Sequence, residues 1–512
     1  MAMAIMQKPM SGGRKYLEKI KKPVLEAESL KKNYILNVIR VVSGAAVGLI
    51  TMSYVNRVLG AEAIGKVEYA YTIVNYFVLF SSLGIPMYGI REVSRSRHDK
   101  NILAKTTLEL FILLAITSIV AYLFFFGIIY NLYYFKDYKD LFLILSMIIV
   151  LTNLGGEWYF QGVENQMYIT VRFIAVRIVM VLVIFLYIKT KSDYPIYALS
   201  LVITTCGANI FNFIVLFNKV LKNYSGTLRE LNIRKHLKPV LTIFIATVSI
   251  NIYVQLDSFL LGSLTSDKYV GYYVVPNKII RLVIGFITVM GAVMLPKLSF
   301  YYLNDRDNYY KYLKKAFNLL LVVSIPLSIV FWGYAYDIII ILGGKQYEES
   351  VLTLQILSPL CTIVGVAYCM GFLVLYPQNK ENIYSFTVVI SAVFSVVLNL
   401  FIIKYFKHNG VAVVSVLSEF VGILIMYLYL LKKKEFSLFI DRINLFKIII
   451  ASLCMLLGVI LLNVLMHGGL IWFSIKIFLA FSMYCIVLLL TKEEESLNLI
   501  SYVRNYLQKF LQ

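Results

Sequence analysis

The stretch TVSINIYVQLDSFLLGSLTSDKYVGYYVVPNKIIRLVIGFITVMGAVMLPK, Thr247 to Lys297, decides the fold. It divides at SLTSDK, Ser263 to Lys268, into two apolar runs. Each has the roughly 20 residues that a helix needs to cross the hydrocarbon core of a bilayer. The first run puts Thr247, Asn251, Gln255, Ser258 and Gly262 on one helical stripe. The second puts Lys278, Arg281, Gly285 and Thr288 on one stripe, just past a predicted kink at Pro276. Two cations within one turn at bilayer depth cost roughly 2.5–3.5 kcal/mol each on insertion scales. Two readings follow. In one, the cations face a wet cavity suited to an anionic ligand. In the other, Lys278 snorkels to an interface and Arg281 pairs with Asp257, fixing the helix pair.

Working outward, hydrophobic residues make up 60% of the 512 and charged residues only 15%. With a mean hydropathy of +0.78, that balance places the chain among polytopic membrane proteins. The net charge of +21 then reports basic cytoplasmic loops rather than nucleic-acid binding. Cys206, Cys361, Cys369, Cys454 and Cys485 all lie in apolar runs, and no histidine pair has metal-ligand spacing. Neither a disulfide framework, a metal site nor a cofactor is expected. The first 33 residues are basic and polar and show no cleavable signal.

The expected fold class is an all-α polytopic membrane protein with about fourteen spans. Residues 1–33 form a basic cytoplasmic leader, 34–218 hold spans 1–6, 239–431 hold spans 7–12, 448–490 hold spans 13 and 14, and 491–512 form a cytoplasmic tail. Twelve spans is the competing count, with the last pair interfacial. Lys and Arg number 34 in the segments assigned to the cytoplasm and 10 in the opposite loops. That bias puts both termini in the cytoplasm. No loop exceeds about 20 residues, too short for a soluble catalytic domain.

A faint internal repeat relates LGAEAIGKVEYAYTI, Leu59 to Ile73, to SDKYVGYYVVPNKII, Ser266 to Ile280, when Gly65 is laid on Gly271. Six spans separate the copies, so both have the same orientation. The pattern implies two parallel six-helix lobes with a site between them.

Other spans carry polar stripes too. Asn37 and Arg40 lie on span 1, Glu68 and Asn75 on span 2, Asn399 on span 11, and Ser415 and Glu419 on span 12. Most small polar residues serve helix packing, whereas ionisable ones inside a membrane are candidates for function. The candidate anion ligands are Arg40, Lys278 and Arg281, with Asn37, Asn75, Asn251, Gln255 and Ser258 as polar lining. Glu68, Asp257 and Glu419 are candidates to bind a coupling proton or sodium ion. Glu109 has Lys105 as a neighbour one turn away, and Lys476 in the last span, with no evident partner in the sequence, either snorkels or meets another helix.

The segment EWYFQGVENQ followed by YITVR, starting at Glu157, reads as an aromatic interfacial anchor with a glycine turn. In detail it resembles the corresponding loop of the bacterial Wzx-type flippases for lipid-linked oligosaccharide repeat units, members of the polysaccharide transporter family. LDSFLLG, DKYVGYY, MLPKLS and NRVLGAEAIGKVEYA resemble the same family, over roughly residues 30–430. The resemblance implies a two-lobed, alternating-access transporter of the bacterial inner membrane. Its implied substrate is an oligosaccharide on undecaprenyl pyrophosphate, with membrane lipids and polysaccharide polymerase machinery as further partners. Glu157, Trp158, Arg172 and Arg177 would then sit at its cytoplasmic gate. Such a pyrophosphate needs Arg and Lys at bilayer depth because an unpaired anion is costly in low dielectric. The competing functions are a lipid II flippase, a MATE-like multidrug or cation exporter, and a membrane glycosyltransferase or polymerase. Cationic drugs would want an acidic cavity, and the transferases need a sizeable outer loop that this chain lacks.

Overall fold

The computed structural model describes residues 30–433, 440–466 and 468–494, without some side chains, chiefly those of 31–35 and 246–254. Most of the basic leader, most of the C-terminal tail and the Asn251 side chain therefore lie outside the described residues. Among the described residues every regular element is helical. In chain order they are α1 (Leu30–Ser82), α2 (Ile85–Ser96), α3 (Lys100–Gly127), α4 (Lys139–Leu145), α5 (Met147–Leu154), α6 (Glu157–Gly162), α7 (Gln166–Tyr187), α8 (Tyr194–Cys206) and α9 (Asn209–Lys219) in the first lobe. The second lobe holds α10 (Arg234–Leu264), α11 (Asp267–Asn304), α12 (Arg306–Gly333), α13 (Ala335–Leu342), α14 (Ser350–Leu357), α15 (Leu360–Tyr368) and α16 (Glu381–Lys432). The chain then continues through α17 (Arg442–Leu465) and α18 (Leu470–Leu490).

A straight helix of 53 residues, the length of α1, would run about 80 Å, far beyond the roughly 30 Å of hydrocarbon. Gly60, at φ 80°, breaks it into two crossings. Lys407, at φ 50°, does the same for α16. Eleven helices of the described residues are long and apolar enough to span a membrane. Two of them cross twice, and the 31-residue α10 adds another, which accounts for fourteen crossings. Apolar side chains that would be awkward in water, such as Leu123, Leu186, Phe401 and Leu457, point outward from the bundle, as lipid contact requires.

The last pair is tied to the second lobe by a charge, and of the two readings of Lys476 the structure takes the one in which it meets another helix. Lys476 is buried and its Nζ meets Asp337 Oδ2 of α13 at 2.5 Å, with Asn463 Oδ1 at 3.3 Å. Spacing along α18 carries no trace of a partner 139 residues away. Removing one member of a buried pair strands the other charge. Lys476→Ala is therefore expected to cost about 3–5 kcal/mol, and Lys476→Met with Asp337→Leu to recover most of it. Thermal unfolding in detergent measures both.

A second buried node joins the lobes through their connector. Glu109 pairs with Lys235 at 2.6 Å and His236 at 2.8 Å, and accepts from the Asn232 amide at 2.8 Å. The Tyr88 hydroxyl meets the other ring nitrogen of His236 at 2.7 Å. Among the described residues Glu109 makes its ion pair across to the second lobe and not with Lys105, so the one-turn pairing gives way to a tertiary one.

Candidate functional site

α1 packs along α11 more extensively than any other pair of helices, and this seam between the lobes carries the site. On one side of it lies a cavity of about 290 Å³ walled by α1, α7, α8 and α11. Lys278 and Arg177 both line it, beside Thr51, Asn56, Tyr197 and Thr204. Lys278 reaches across the seam to Glu68 Oε1 at 2.5 Å, and the Tyr197 hydroxyl donates to the same oxygen at 3.0 Å. Glu68 is buried while Lys278 is 43% exposed, so the cation, not the carboxylate, faces the open space. Arg177 lies 4.3 Å over the Phe173 ring and donates to the Gly44 carbonyl at 2.6 Å, leaving its buried Nε without a partner among the described residues.

The structure rearranges the expected cation set. Arg40 does not line this cavity. It donates to Glu157 Oε1 and to Asn37 Oδ1, both at 3.0 Å. Arg172 approaches the same carboxylate at 3.6 Å. Arg40, Glu157 and Arg172 thus form a cluster within the first lobe. Arg177, expected with Arg172 at a gate, instead joins Lys278, because five residues along α7 carry it to another face of the helix. Arg281 stands one turn from Lys278 on α11, outside this cavity, and its buried Nε has no partner among the described residues.

Asp257 does not close an ion pair with Arg281. Its carboxylate accepts from Ser415 at 2.6 Å, Tyr273 at 2.7 Å and Asn399 at 3.1 Å. Asn399 and Ser415 belong to stripes visible in the sequence. Tyr273 was missed because an aromatic in an apolar run carries no periodic signal. Asn75, Gln255 and Ser258 are half-buried, and the Gln255 Oε1 is buried and unpartnered among the described residues. Glu419 is half-buried near Tyr384. Trp158 is no interfacial anchor. α6 folds back on α2, so that Trp158 is buried and a Cβ on Gly89 would come within 2.6 Å of its ring.

Beyond the cavity the seam is shut on the face that bears loops 57–66, 263–268 and 336–349. A Cβ on Gly65 would lie 1.7 Å from the Asp267 carbonyl oxygen, and one on Gly271 would lie 1.9 Å from that of Ala61. Each glycine therefore meets the residue four before its counterpart, as a two-fold relation between the repeats requires. Around them Tyr69 bonds Ser263 at 2.9 Å, Tyr138 donates to Asp267 at 2.6 Å, and Arg57 donates to the Ile341 carbonyl at 2.7 Å.

Comparison with known proteins agrees with this architecture. The model of the polysaccharide biosynthesis protein family matches residues 30–301, and that of lipid II flippase MurJ matches residues 170–489. A candidate O-antigen transporter of Escherichia coli strain K12 is 22% identical over 420 residues, covering 79% of this chain and 98% of that protein. One from Shigella dysenteriae is 24% identical over 409 residues, covering 78% and 99%. Among solved structures, an inward closed conformation of lipid II flippase MurJ superposes with a TM-score of 0.70 at 18% identity, covering 89% and 98%. An inward-facing MATE multidrug transporter of the MOP superfamily superposes with a TM-score of 0.59 at 15% identity, covering 78% and 95%. These two likenesses bear on fold alone. With more than half its length matched, this chain belongs to the polysaccharide biosynthesis protein family, on a fold shared with MurJ and the MATE transporters.

Proposed function

We propose that the chain is a flippase. It moves undecaprenyl-pyrophosphate-linked oligosaccharide repeat units from the cytoplasmic to the outer leaflet of the bacterial inner membrane by alternating access. The observation that carries this reading is the cavity at the lobe seam, where Lys278 of the second lobe and Arg177 of the first face the same space. Two cations from opposing lobes are what a diphosphate in low dielectric demands. Arg281 follows one turn after Lys278 on α11, and Arg40 lies about two turns before the cavity-lining Val47 on α1, so under this reading both join them as the lobes move. The face rich in Lys and Arg is cytoplasmic under this reading, and the sealed face is outer.

Cells lacking the protein should accumulate a lipid-linked repeat unit on the inner leaflet, and the wild-type chain should clear it. Accumulation of lipid II instead would favour the reading suggested by the MurJ match. No accumulation of either lipid would refute the flippase.

Asp257 is proposed as the coupling-ion site, since it is buried and ringed by hydroxyls and an amide from both lengths of α16 as well as α11. Collapsing the proton and sodium gradients in proteoliposomes should slow translocation by about tenfold or more, the kinetic equivalent of 1.36 kcal/mol. Asp257→Asn should remove that dependence. An unchanged rate would reassign Asp257, Glu68 and Glu419 to structural roles.

A further inference from the structure

A second cavity lies on the opposite side of the Gly65–Gly271 contact. It is larger, about 700 Å³, and is built from loops of both lobes. Its chemistry differs from that of the inner cavity. Three carboxylates (Glu62, Asp137, Asp267) are matched by three ammonium groups (Lys66, Lys191, Lys268), so the lining is charge-balanced. Tyr138, Tyr194 and Tyr272 line it as well. Lys66 is drawn onto two of these rings, 5.2 Å from Tyr194 and 5.8 Å from Tyr138. Gln346, which donates to the Asn56 and Arg57 carbonyls at 2.6 and 3.0 Å, closes one wall.

An ion of either sign gains little from a lining of zero net charge. A neutral ligand dense in hydroxyl groups gains a great deal, because carboxylates and carbonyl oxygens accept its protons while ammonium groups donate to its oxygens. Aromatic faces add apolar contact for the C–H side of a ring. The inner cavity, at about 290 Å³, falls at the small end of ligand pockets, which run from about 300 to 1,000 Å³. It suits a diphosphate. The outer one has room for several sugar rings.

We propose that this outer vestibule is a glycan-binding site that holds the sugar portion of the substrate on the far side of the seal. It would separate recognition of the glycan from that of the pyrophosphate. The proposal rests on the flippase reading, because only a transported glycan would need a sugar site on the exit side. Tyr194 and Glu62 are its most direct probes. Among the described residues neither has a hydrogen bond or ion pair in the seal, and Glu62 is exposed.

The test uses the full chain in lipid nanodiscs. Its probe is the free oligosaccharide released by mild acid from the lipid that accumulates in cells lacking the protein. Saturation-transfer NMR should show sugar C–H protons receiving magnetisation from the protein. Tyr194→Ala and Glu62→Gln should each reduce that transfer by fivefold or more. Tyr194→Phe, which keeps the ring, should retain it. Inorganic pyrophosphate should not compete. Absence of transfer with folded wild-type protein, indifference to Tyr194→Ala and Glu62→Gln, or displacement by pyrophosphate would each overturn the vestibule assignment. If no lipid-linked sugar accumulates, the flippase reading itself has failed, which is a separate result.

Discussion

Gly65→Ala should leave the protein at normal abundance and remove most of its transport. The added methyl would stand 1.7 Å from the Asp267 carbonyl oxygen and 2.7 Å from the Gly271 amide nitrogen. Both are backbone atoms, so no rotamer change relieves the overlap and the lobes must part. Overpacking of this kind costs about 1–3 kcal/mol, which falls only on states where the outer seam is shut. A tenfold shift of the conformational equilibrium requires about 1.4 kcal/mol, so export should fall by about tenfold or more. Gly271→Ala should act alike, since its methyl would stand 1.9 Å from the Ala61 carbonyl. Ser263→Cys, introduced after replacement of the native cysteines, reports the seam directly. Its side chain lies at the Tyr69 contact, and a membrane-impermeant thiol reagent should label it from outside about tenfold faster in the Gly65→Ala background than in the wild-type one. Gly285→Ala is the control, because nothing lies within 4 Å of the position a methyl would take. Unchanged labelling with normal export would remove the glycine contact from the transport cycle.

The charge pair across the seam offers the second large effect. Lys278→Ala deletes one of the two cavity cations and leaves buried Glu68, among the described residues, with the Tyr197 hydroxyl as its side-chain donor. A hydrogen bond to a charged group contributes about 1.5–3 kcal/mol, so export should drop by roughly 10- to 100-fold. That loss alone does not separate a role in holding an anion from a role in holding the lobes. The exchanged pair, Glu68→Lys with Lys278→Glu, does. It restores the attraction but turns a carboxylate toward the cavity in place of the ammonium. Thermal stability should return toward wild type while export stays low. Recovery of export in the exchanged pair would show that Lys278 is structural and would move the anion site elsewhere.

Much of this could be read from one chain. Length and hydropathy dictate the crossings, because bilayer thickness fixes how many apolar residues a helix must present. The loop charges forecast an even number of crossings, and the glycine match between Leu59–Ile73 and Ser266–Ile280 forecast paired lobes. Those two glycines proved to touch residues of each other's repeat. The identity of the ionisable groups at bilayer depth was equally plain, since the penalty for placing them there is intrinsic to the residue.

Their pairing was not. Periodicity assigns a side chain to a face of its own helix and carries no information about which helix lies opposite. Glu68 and Lys278 are 210 residues apart, Arg40 and Glu157 are 117, and Lys476 and Asp337 are 139. Only the packing of α1 against both α7 and α11 brings Arg177 and Lys278 to one cavity, while the fold of the first lobe commits Arg40 to Glu157. The sequence alone settled which residues must be accounted for within the membrane. The tertiary structure chose their partners, because an ion pair depends on distances between helices that local pattern does not set.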